Sequence, residues 1–293
     1  MSSPALSVSR SSVADYVELT KPRITSMVVL TSLLGFVMGS VGPVSANALL
    51  AALLGTGLVA AGASALNMVL ERDTDARMKR TRNRPLPAGR LRVMDAVGFG
   101  AALTVLGLGE LLWLSGRLAA LVALATWASY LFVYTPLKRR TSLATLVGAV
   151  PGALPPLIGW AAARQALEPG AFVLFAILFL WQVPHFLAIA WIYRDDYALG
   201  GLPMLPVLDR DGRMTSRQAV AHSLALLLVS LAPTTAGMAG AAYLAGAALL
   251  GTALLAFALR LGLERTATAA RALFLASVVY LPALSLLLMA DRL

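Results

Sequence analysis

Residues 67–92 read NMVLERDTDARMKRTRNRPLPAGRLR, a run that holds eight Lys or Arg residues and three acids. It follows directly on a stretch, 47–66, in which nearly every residue is apolar or small. About twenty such residues are enough for a helix to cross a bilayer, and basic residues gather in the loops that leave it on the cytoplasmic side. The two stretches together predict a membrane-spanning helix that ends in a charged cytoplasmic loop.

The composition of the whole chain agrees with this interpretation. The 293 residues are 59% hydrophobic and 13% charged, with a mean hydropathy of +0.79, whereas about a quarter of the residues in soluble domains are charged. A soluble globular protein is therefore excluded. The sequence has no cysteine, which excludes disulfides and thiolate metal sites. Residues 1–22 lack the apolar core of a cleavable signal peptide, so we expect the N-terminus to be retained.

Apolar windows of membrane-spanning length recur along the rest of the chain. They lie at roughly 25–44, 47–70, 94–115, 118–136, 142–162, 170–192, 218–236, 239–260 and 272–290. An open strand edge would leave backbone groups unpaired in lipid, so these spans are predicted to be helices. No soluble linker divides the chain. The sequence predicts an all-α membrane bundle of nine transmembrane helices in a single domain, 1–293.

The placement of basic residues predicts the orientation of this bundle. If the N-terminal tail, 1–22, is cytoplasmic, only Arg117, Arg164 and Arg292 of the 24 Lys and Arg residues fall on the outer side. This asymmetry is the one that the positive-inside rule describes. The two long connections, 71–93 and 193–217, both fall on the cytoplasmic side, which we therefore expect to carry the active site. Topology explains most of the net charge of +10, so no nucleic-acid partner is predicted.

Three oxygen-bearing side chains lie at the end of the second predicted helix. Asn67, Glu71 and Asp75 recur every four residues, which places them on one stripe of a helix. Two carboxylates this close repel each other unless a cation lies between them, and oxygen ligands select a hard ion such as Mg²⁺. The alternative is a helix end with solvated charges. Asn67 lies where the apolar span has not yet ended, which favours the metal site.

A second acidic cluster and several cations fall on the same predicted face. Asp195 and Asp196, in WIYRDDY, follow the sixth helix, so the two clusters together could hold two Mg²⁺ ions with open positions for phosphate oxygens. The candidate cations are Lys21, Arg23, Arg82, Arg84 and Lys138. With Mg²⁺ they would form a clamp for a strongly anionic group such as a diphosphate. The positive-inside rule explains any one of these residues taken alone.

These motifs carry a family resemblance. The segment NMVLERDTDARMKRTRNRPLPAGR resembles the first signature of the UbiA-type intramembrane prenyltransferases, which binds Mg²⁺-diphosphate and is followed by an RTxxRP segment. RPLP, WQVPHF, and DY followed by PMLPV resemble the branch of this family that acts on protohaem IX. The resemblance runs from ELTKPRIT through all nine helices. In the family the second signature is usually DxxxD, but this chain offers Asp195 and Asp196 flanked by Tyr193 and Tyr197, so the oxygen that reaches a second metal stays open.

The resemblance implies a reaction and roles for residues. Farnesyl would pass from farnesyl diphosphate to a vinyl group of protohaem, with addition of water and release of diphosphate, in a bacterial cytoplasmic membrane. Asn67, Glu71, Asp75 and Asp196 would be catalytic through Mg²⁺. A haem A synthase or a terminal oxidase assembly would be the recipient of the product. His185, after the helix-kinking Pro184, and His222 lie at similar predicted depths; they would contact haem iron or a propionate, or else be buried hydrogen-bonding groups.

Other functions remain as alternatives. A secondary transporter more often shows inverted repeats and helices broken by Gly or Pro in both halves, and PGALPP at 151–156 is the one hint of that. A b-type cytochrome would use the two histidines as axial ligands but leaves the acidic stripe without a role. A prenyltransferase that acts on a quinone or chlorophyll precursor is the rival within the family.

Overall fold

A computed structural model of the chain describes residues 12–293, so the first eleven residues of the predicted N-terminal tail lie outside the described residues. The described chain is almost entirely helical. Its helices are α1 (Val13–Leu19), α2 (Pro22–Gly39), α3 (Ala46–Asp75), α4 (Val93–Ser115), α5 (Arg117–Leu137), α6 (Ala144–Arg164), α7 (Pro169–Ile192), α8 (Arg194–Leu199), α9 (Leu205–Leu208), α10 (Arg213–Thr235), α11 (Ala241–Glu264) and α12 (Ala267–Ala290). Nine of these, α2 to α7 and α10 to α12, are long and apolar enough to cross a membrane, which confirms the predicted all-α bundle of nine spans.

Several helices continue beyond the apolar windows that predicted them. Helix α3 runs through Asp75, so Glu71 lies in its last turns and the predicted loop at 71–93 begins later, at 76. Helix α10 begins at Arg213 rather than near 218. A hydropathy window ends where polar residues begin, whereas a helix continues as long as its backbone groups stay paired. Helix α1 lies within the predicted tail and was not foreseen.

Three long helices depart from regular α-helical geometry, and one of them, α4, ends in a π-helical turn at Leu111–Ser115. Helix α5 contains a π-helical turn at Ser129–Tyr134, immediately before Thr135 and Lys138. Helix α6 is interrupted at Leu154, because Pro155 and Pro156 have no N–H to donate to the preceding turn. A π-helical turn such as the one in α5 changes the direction of the side chains that follow it, and π-helical turns are frequent at functional sites.

Close backbone approach joins the helices of the bundle. A Cβ atom at Gly35 of α2 would overlap the backbone of Pro156 in α6, and one at Gly159 of α6 would overlap the backbone of Ser32. Small residues let membrane helices pack this tightly in the absence of a hydrophobic driving force between them. One contiguous apolar core runs from α2 through α12. Large apolar side chains such as Trp113, which is 84% exposed, cover the outer surface and suit contact with lipid.

Candidate active site

The ends of α3 and α5, the start of α2 and the connection after α3 meet at one end of the bundle. The stripe predicted on α3 is buried there: Asn67 is 1%, Glu71 6% and Asp75 1% exposed. Burial of two carboxylates and an amide is costly unless each has a polar partner.

Each member of the stripe meets a cation from a different segment. Lys21 Nζ donates to Asn67 Oδ1 at 2.7 Å. Lys138 Nζ donates to Glu71 Oε1 at 3.0 Å, and Arg84 Nη1 donates to Asp75 Oδ2 at 2.7 Å. Three cations face two carboxylates, so the cluster keeps a net positive charge. We call these six side chains the buried ionic cluster.

The pKa values of the two lysines of the cluster shift in opposite directions. Burial, together with the nearby charges of Arg84 and Lys138, lowers the pKa of Lys21 to about 8 against the attraction of Glu71. Burial also disfavours the charged form of Lys138, but Glu71 outweighs it and raises the pKa of Lys138 above its ordinary value. The backbone of Lys21 is left-handed, with φ 47°, a conformation that costs energy for a residue with a Cβ.

A hydroxyl that the sequence analysis missed fixes the orientation of Asn67. Thr135 Oγ1 donates its proton to the carbonyl of Tyr130 at 2.8 Å and accepts from Asn67 Nδ2 at 3.0 Å. Because a threonine hydroxyl has one proton, the amide nitrogen must face it, and Asn67 Oδ1 must face Lys21. The signal available in the sequence was the position of Thr135, three residues before Lys138.

Two tyrosines of the π turn stand beside the cluster. The rings of Tyr130 and Tyr134 stack with centroids 5.7 Å apart and an interplanar angle of 22°. Lys138 Nζ lies 6.0 Å from the centroid of Tyr134. Tyr134, Thr135 and Lys138, at the end of the π turn and just beyond it, thus lie together at this end of the bundle.

The two aspartates of the second acidic cluster, Asp195 and Asp196, have different surroundings. Both carboxylate oxygens of Asp196 accept backbone N–H groups from the connection after α3: Oδ1 from Lys79 at 2.7 Å and Oδ2 from Arg80 at 3.3 Å. The guanidinium of Arg80 also lies 5.1 Å from the ring centroid of Tyr193. The Asp195 side chain is fully exposed and lies 3.9 Å from Arg194. Asp196 therefore joins the two long connections, and Asp195 faces outward.

Arg90 ties helix α1 to this region, a contact that the sequence analysis did not foresee. Its guanidinium donates to Asp15 at 2.7 Å, to Glu18 at 3.0 Å and to the carbonyl of Asn83 at 2.7 Å. The hydrogen bond from Arg90 lowers the pKa of Asp15 to about 2. These contacts hold helix α1 beside the connection that carries Arg84. Because α1 ends just before Lys21, they also hold the chain that leads to Lys21.

Other predicted residues lie apart from the buried ionic cluster. Arg23 and Arg82 are exposed. His185 Nδ1 hydrogen-bonds to Ser277 Oγ of α12 at 2.8 Å, while His222 Nδ1 donates to the carbonyl of Gln218 in its own helix at 2.8 Å. The two histidines thus use their Nδ1 atoms in different surroundings. The bond to Gln218 suits the structural interpretation of His222.

The donor set of the stripe fits the ion that the sequence predicted. Asn67, Glu71 and Asp75 offer only oxygen atoms, which Mg²⁺ prefers. Within residues 12–293, no three His, Asp or Glu side chains lie close enough together to hold a metal by themselves. Two carboxylates and an amide oxygen leave coordination positions for the oxygens of a phosphate ligand, as Mg²⁺ sites that bind nucleotides and diphosphates do.

The fold and the buried ionic cluster define the class: an integral, multi-pass membrane protein with a polar site at one end of its helical bundle. The chain belongs to the UbiA prenyltransferase family, whose model matches residues 28–279. The family predicted from the motifs is thereby confirmed.

Named relatives match almost the whole chain. The protoheme IX farnesyltransferase of Solibacter usitatus is 49% identical over 290 residues, which cover 95% of this chain and 98% of the relative. The protein of the same name from Koribacter versatilis is 44% identical and covers 98% of this chain and 97% of its own.

Solved structures share the fold. A digeranylgeranylglyceryl phosphate synthase superposes with a TM-score of 0.80 at 17% sequence identity, covering 95% of this chain and 98% of its own. A UbiA homolog from Archaeoglobus fulgidus, bound to GPP and Mg²⁺, superposes with a TM-score of 0.67 at 16% identity, covering 94% of this chain and 99% of its own. At these identities the likeness supports the fold alone.

Proposed function

We propose that this chain transfers the farnesyl group of farnesyl diphosphate to a vinyl group of protohaem IX, adds water and releases diphosphate, giving haem O. The observation that carries the proposal is the buried ionic cluster, in which Lys21, Lys138 and Arg84 outnumber the two carboxylates. The near full-length similarity to proteins named protoheme IX farnesyltransferase supports the acceptor.

The cluster supplies what the donor half of the reaction needs. Rupture of the allylic C–O bond leaves negative charge on the diphosphate, and fixed cations beside it stabilise that charge. Lys21 contacts Asn67 and Lys138 contacts Glu71, and Arg84 contacts Asp75 at the end of α3. Arg23 and Arg82 are exposed at this end of the bundle, where they would attract the diphosphate and contact its outer oxygens.

Magnesium completes this half of the site in the proposal. Asn67, Glu71 and Asp75 would hold one ion. In the second acidic cluster, Asp195 and Asp196, the carboxylate of Asp196 faces the connection after α3, so Asp196 and not the outward-facing Asp195 would contribute to a second ion. An ion held there would supply positive charge that neutralises the leaving group. Lys21, Lys138 and Arg84 contact the oxygens of the stripe directly, which places them beside any diphosphate that an ion at the stripe would accompany.

The apolar bundle suits the carbon chemistry that follows. Breaking the C–O bond gives an allylic cation, and apolar helices keep water away from it until the acceptor reacts. The π electrons of the vinyl group form the new C–C bond to the farnesyl C1 atom. The positive charge passes to the other vinyl carbon, where water adds and a proton is lost. His185 and His222, about 10 and 14 Å from the ends of their helices at this face, are the proposed contacts to protohaem.

The similarity to protoheme IX farnesyltransferases of bacteria also supports a location and a recipient for the product. The protein resides in the bacterial cytoplasmic membrane with this end of the bundle facing the cytoplasm. A haem A synthase or an oxidase assembly receives the product. The asymmetric distribution of Lys and Arg supports the orientation.

The experiment that tests the function is a competition between acceptors. Purified protein in lipid nanodiscs receives farnesyl diphosphate and Mg²⁺ with equal amounts of protohaem and a phenolic quinone precursor, and products are separated and weighed by mass spectrometry. We expect protohaem that has gained one farnesyl group and one water. Exclusive farnesylation of the phenol would show that the protein is a different member of the family, and transfer to neither acceptor would reject the proposal.

A further inference from the structure

A polar contact lies among apolar side chains between α7 and α12, away from the buried ionic cluster. His185 Nδ1 and Ser277 Oγ are 2.8 Å apart, and Ser277 is completely buried. The indole N–H of Trp181 donates to the backbone carbonyl of the same serine at 2.8 Å. Two residues of α7 thus converge on a single residue of α12.

The ring of His185 is held in a defined plane. It stacks on Trp181 with centroids 4.8 Å apart and an interplanar angle of 23°. The ring of Phe274 lies 5.2 Å away at 35°. The hydrogen bond to Ser277 and these two aromatic contacts fix both the rotation and the tilt of the imidazole.

Counting protons determines which ring nitrogen carries the hydrogen. A serine hydroxyl has one proton, and Ser277 donates it to the carbonyl of Phe274 at 2.6 Å. The contact between Ser277 Oγ and His185 Nδ1 must then be donated by the histidine. Nε2 is left with its lone pair, and among residues 12–293 it has no hydrogen-bond partner. The His185 side chain is half-buried, so the packing of α7 against α12 does not wholly enclose it.

We infer that Ser277 is a positioning residue that fixes the tautomer of His185, so that Nε2 of His185 binds the iron of the acceptor protohaem. This inference rests on the proposed function. A neutral imidazole that donates its other N–H to a fixed acceptor is the form in which histidine ligates metals. Nitrogen from one histidine is also a common axial ligand of haem iron.

The position of His185 along α7 agrees with this role. It lies seven residues before the end of the helix at Ile192, about 10 Å along the axis. A macrocycle held there would sit within the apolar bundle, below the end at which the diphosphate binds.

The test is haem titration of the full-length protein, monitored by Soret absorbance and by electron paramagnetic resonance of the ferric haem. His185→Ala is expected to lose the nitrogen-ligated spectrum, and added imidazole is expected to restore it by binding in the vacated space. Ser277→Ala is expected to weaken haem affinity on the order of tenfold, as loss of a partner of a metal-ligating histidine does. The affinity for farnesyl diphosphate should stay unchanged, and Ser277→Thr, which keeps the hydroxyl, should restore haem binding.

A further variant and an activity assay of the wild type distinguish misfolding, failure of the inference and failure of the proposed function. If Ser277→Ala does not fold, Ser277→Cys keeps nearly the same volume and weakens the acceptor, so the same loss is expected of it. A wild-type spectrum in His185→Ala, or a lower melting temperature of the serine variants with unchanged haem affinity, overturns the inference. If wild-type protein forms farnesylated haem and either of these results is found, the inference alone fails. If wild-type protein forms none, the proposed function fails and the inference fails with it.

Discussion

At the scale of single residues, two lysines of the buried ionic cluster have pKa values shifted in opposite directions. Lys21 and Lys138 both lie beside the α3 stripe, yet the pKa of Lys21 is lowered to about 8 and that of Lys138 is raised. The difference arises because Lys138 contacts a carboxylate, Glu71, whereas Lys21 contacts the neutral amide of Asn67. No feature of the sequence around either lysine indicates which partner it meets.

The lowered pKa of Lys21 predicts a pH-dependent affinity for the donor. A diphosphate is attracted by the protonated amine, and Lys21 loses its proton above about pH 8, below the usual range for lysine. The affinity for farnesyl diphosphate should therefore fall as the pH rises above about 8. The decrease can reach about tenfold per pH unit, because the protonated fraction of Lys21 falls tenfold with each unit above its pKa. Calorimetric titration at a series of pH values measures this affinity.

The matched control is Lys21→Arg, in which the charge persists at every pH used. Its affinity should stay flat over the range in which that of the wild type declines. Parallel declines in the two proteins would mean that another group titrates.

At the scale of elements, a carboxylate in the connection between α7 and α10 accepts two backbone N–H groups of the connection after α3. Asp196 accepts the backbone N–H groups of Lys79 and Arg80, whereas its neighbour Asp195 is fully exposed. The sequence predicted that the two connections share a face. It could not distinguish the two aspartates, because their difference depends on a turn more than a hundred residues away.

These two hydrogen bonds predict unequal effects of two adjacent substitutions. Asp196→Ala removes the acceptor of two amides, and one hydrogen bond to a charged group contributes about 1.5 to 3 kcal/mol. Hydrogen exchange at Lys79 and Arg80 in substrate-free protein should therefore accelerate on the order of tenfold or more. Asp195→Ala should leave both amides unchanged. Equal exchange in the two variants would mean that the carboxylate of Asp196 does not hold this connection.

Other elements show where prediction from the sequence ends. Helical spacing was sufficient to place Asn67, Glu71 and Asp75 together, because they lie in one uninterrupted helix, α3. The π turn of α5 was not predictable from hydropathy, since it changes the pairing of backbone groups and not the polarity of the side chains. Helix α1 is short, and its attachment to the bundle through Arg90 is a contact between distant segments.

At the scale of the whole molecule, the number of spans followed from hydropathy because lipid requires long helices with internally paired backbones. The nine predicted spans correspond to nine helices within residues 12–293. Orientation in the membrane is a separate prediction, which depends on the distribution of Lys and Arg.

Cysteine labelling tests the orientation, and the chain has no native cysteine to interfere. Ala88 lies in the connection after α3 and Val41 in the connection between α2 and α3, and both are exposed. In intact cells an impermeant maleimide should label Val41→Cys and not Ala88→Cys, and permeabilisation should make Ala88→Cys reactive. The reverse pattern would place the buried ionic cluster on the outer side.

In the proposed function the α3 stripe binds the metal that accompanies the donor, and is not merely a set of ion pairs. The most direct measurement is the Mg²⁺ concentration that half-saturates farnesyl diphosphate binding, in the wild type, Glu71→Gln and Lys138→Met. Loss of a ligand carboxylate should raise this concentration on the order of tenfold or more in Glu71→Gln. Lys138→Met should weaken diphosphate binding without raising the Mg²⁺ requirement, because it removes the competing cation from Glu71. An identical Mg²⁺ requirement in the wild type and Glu71→Gln would contradict the account, since Glu71 would then serve only to neutralise Lys138.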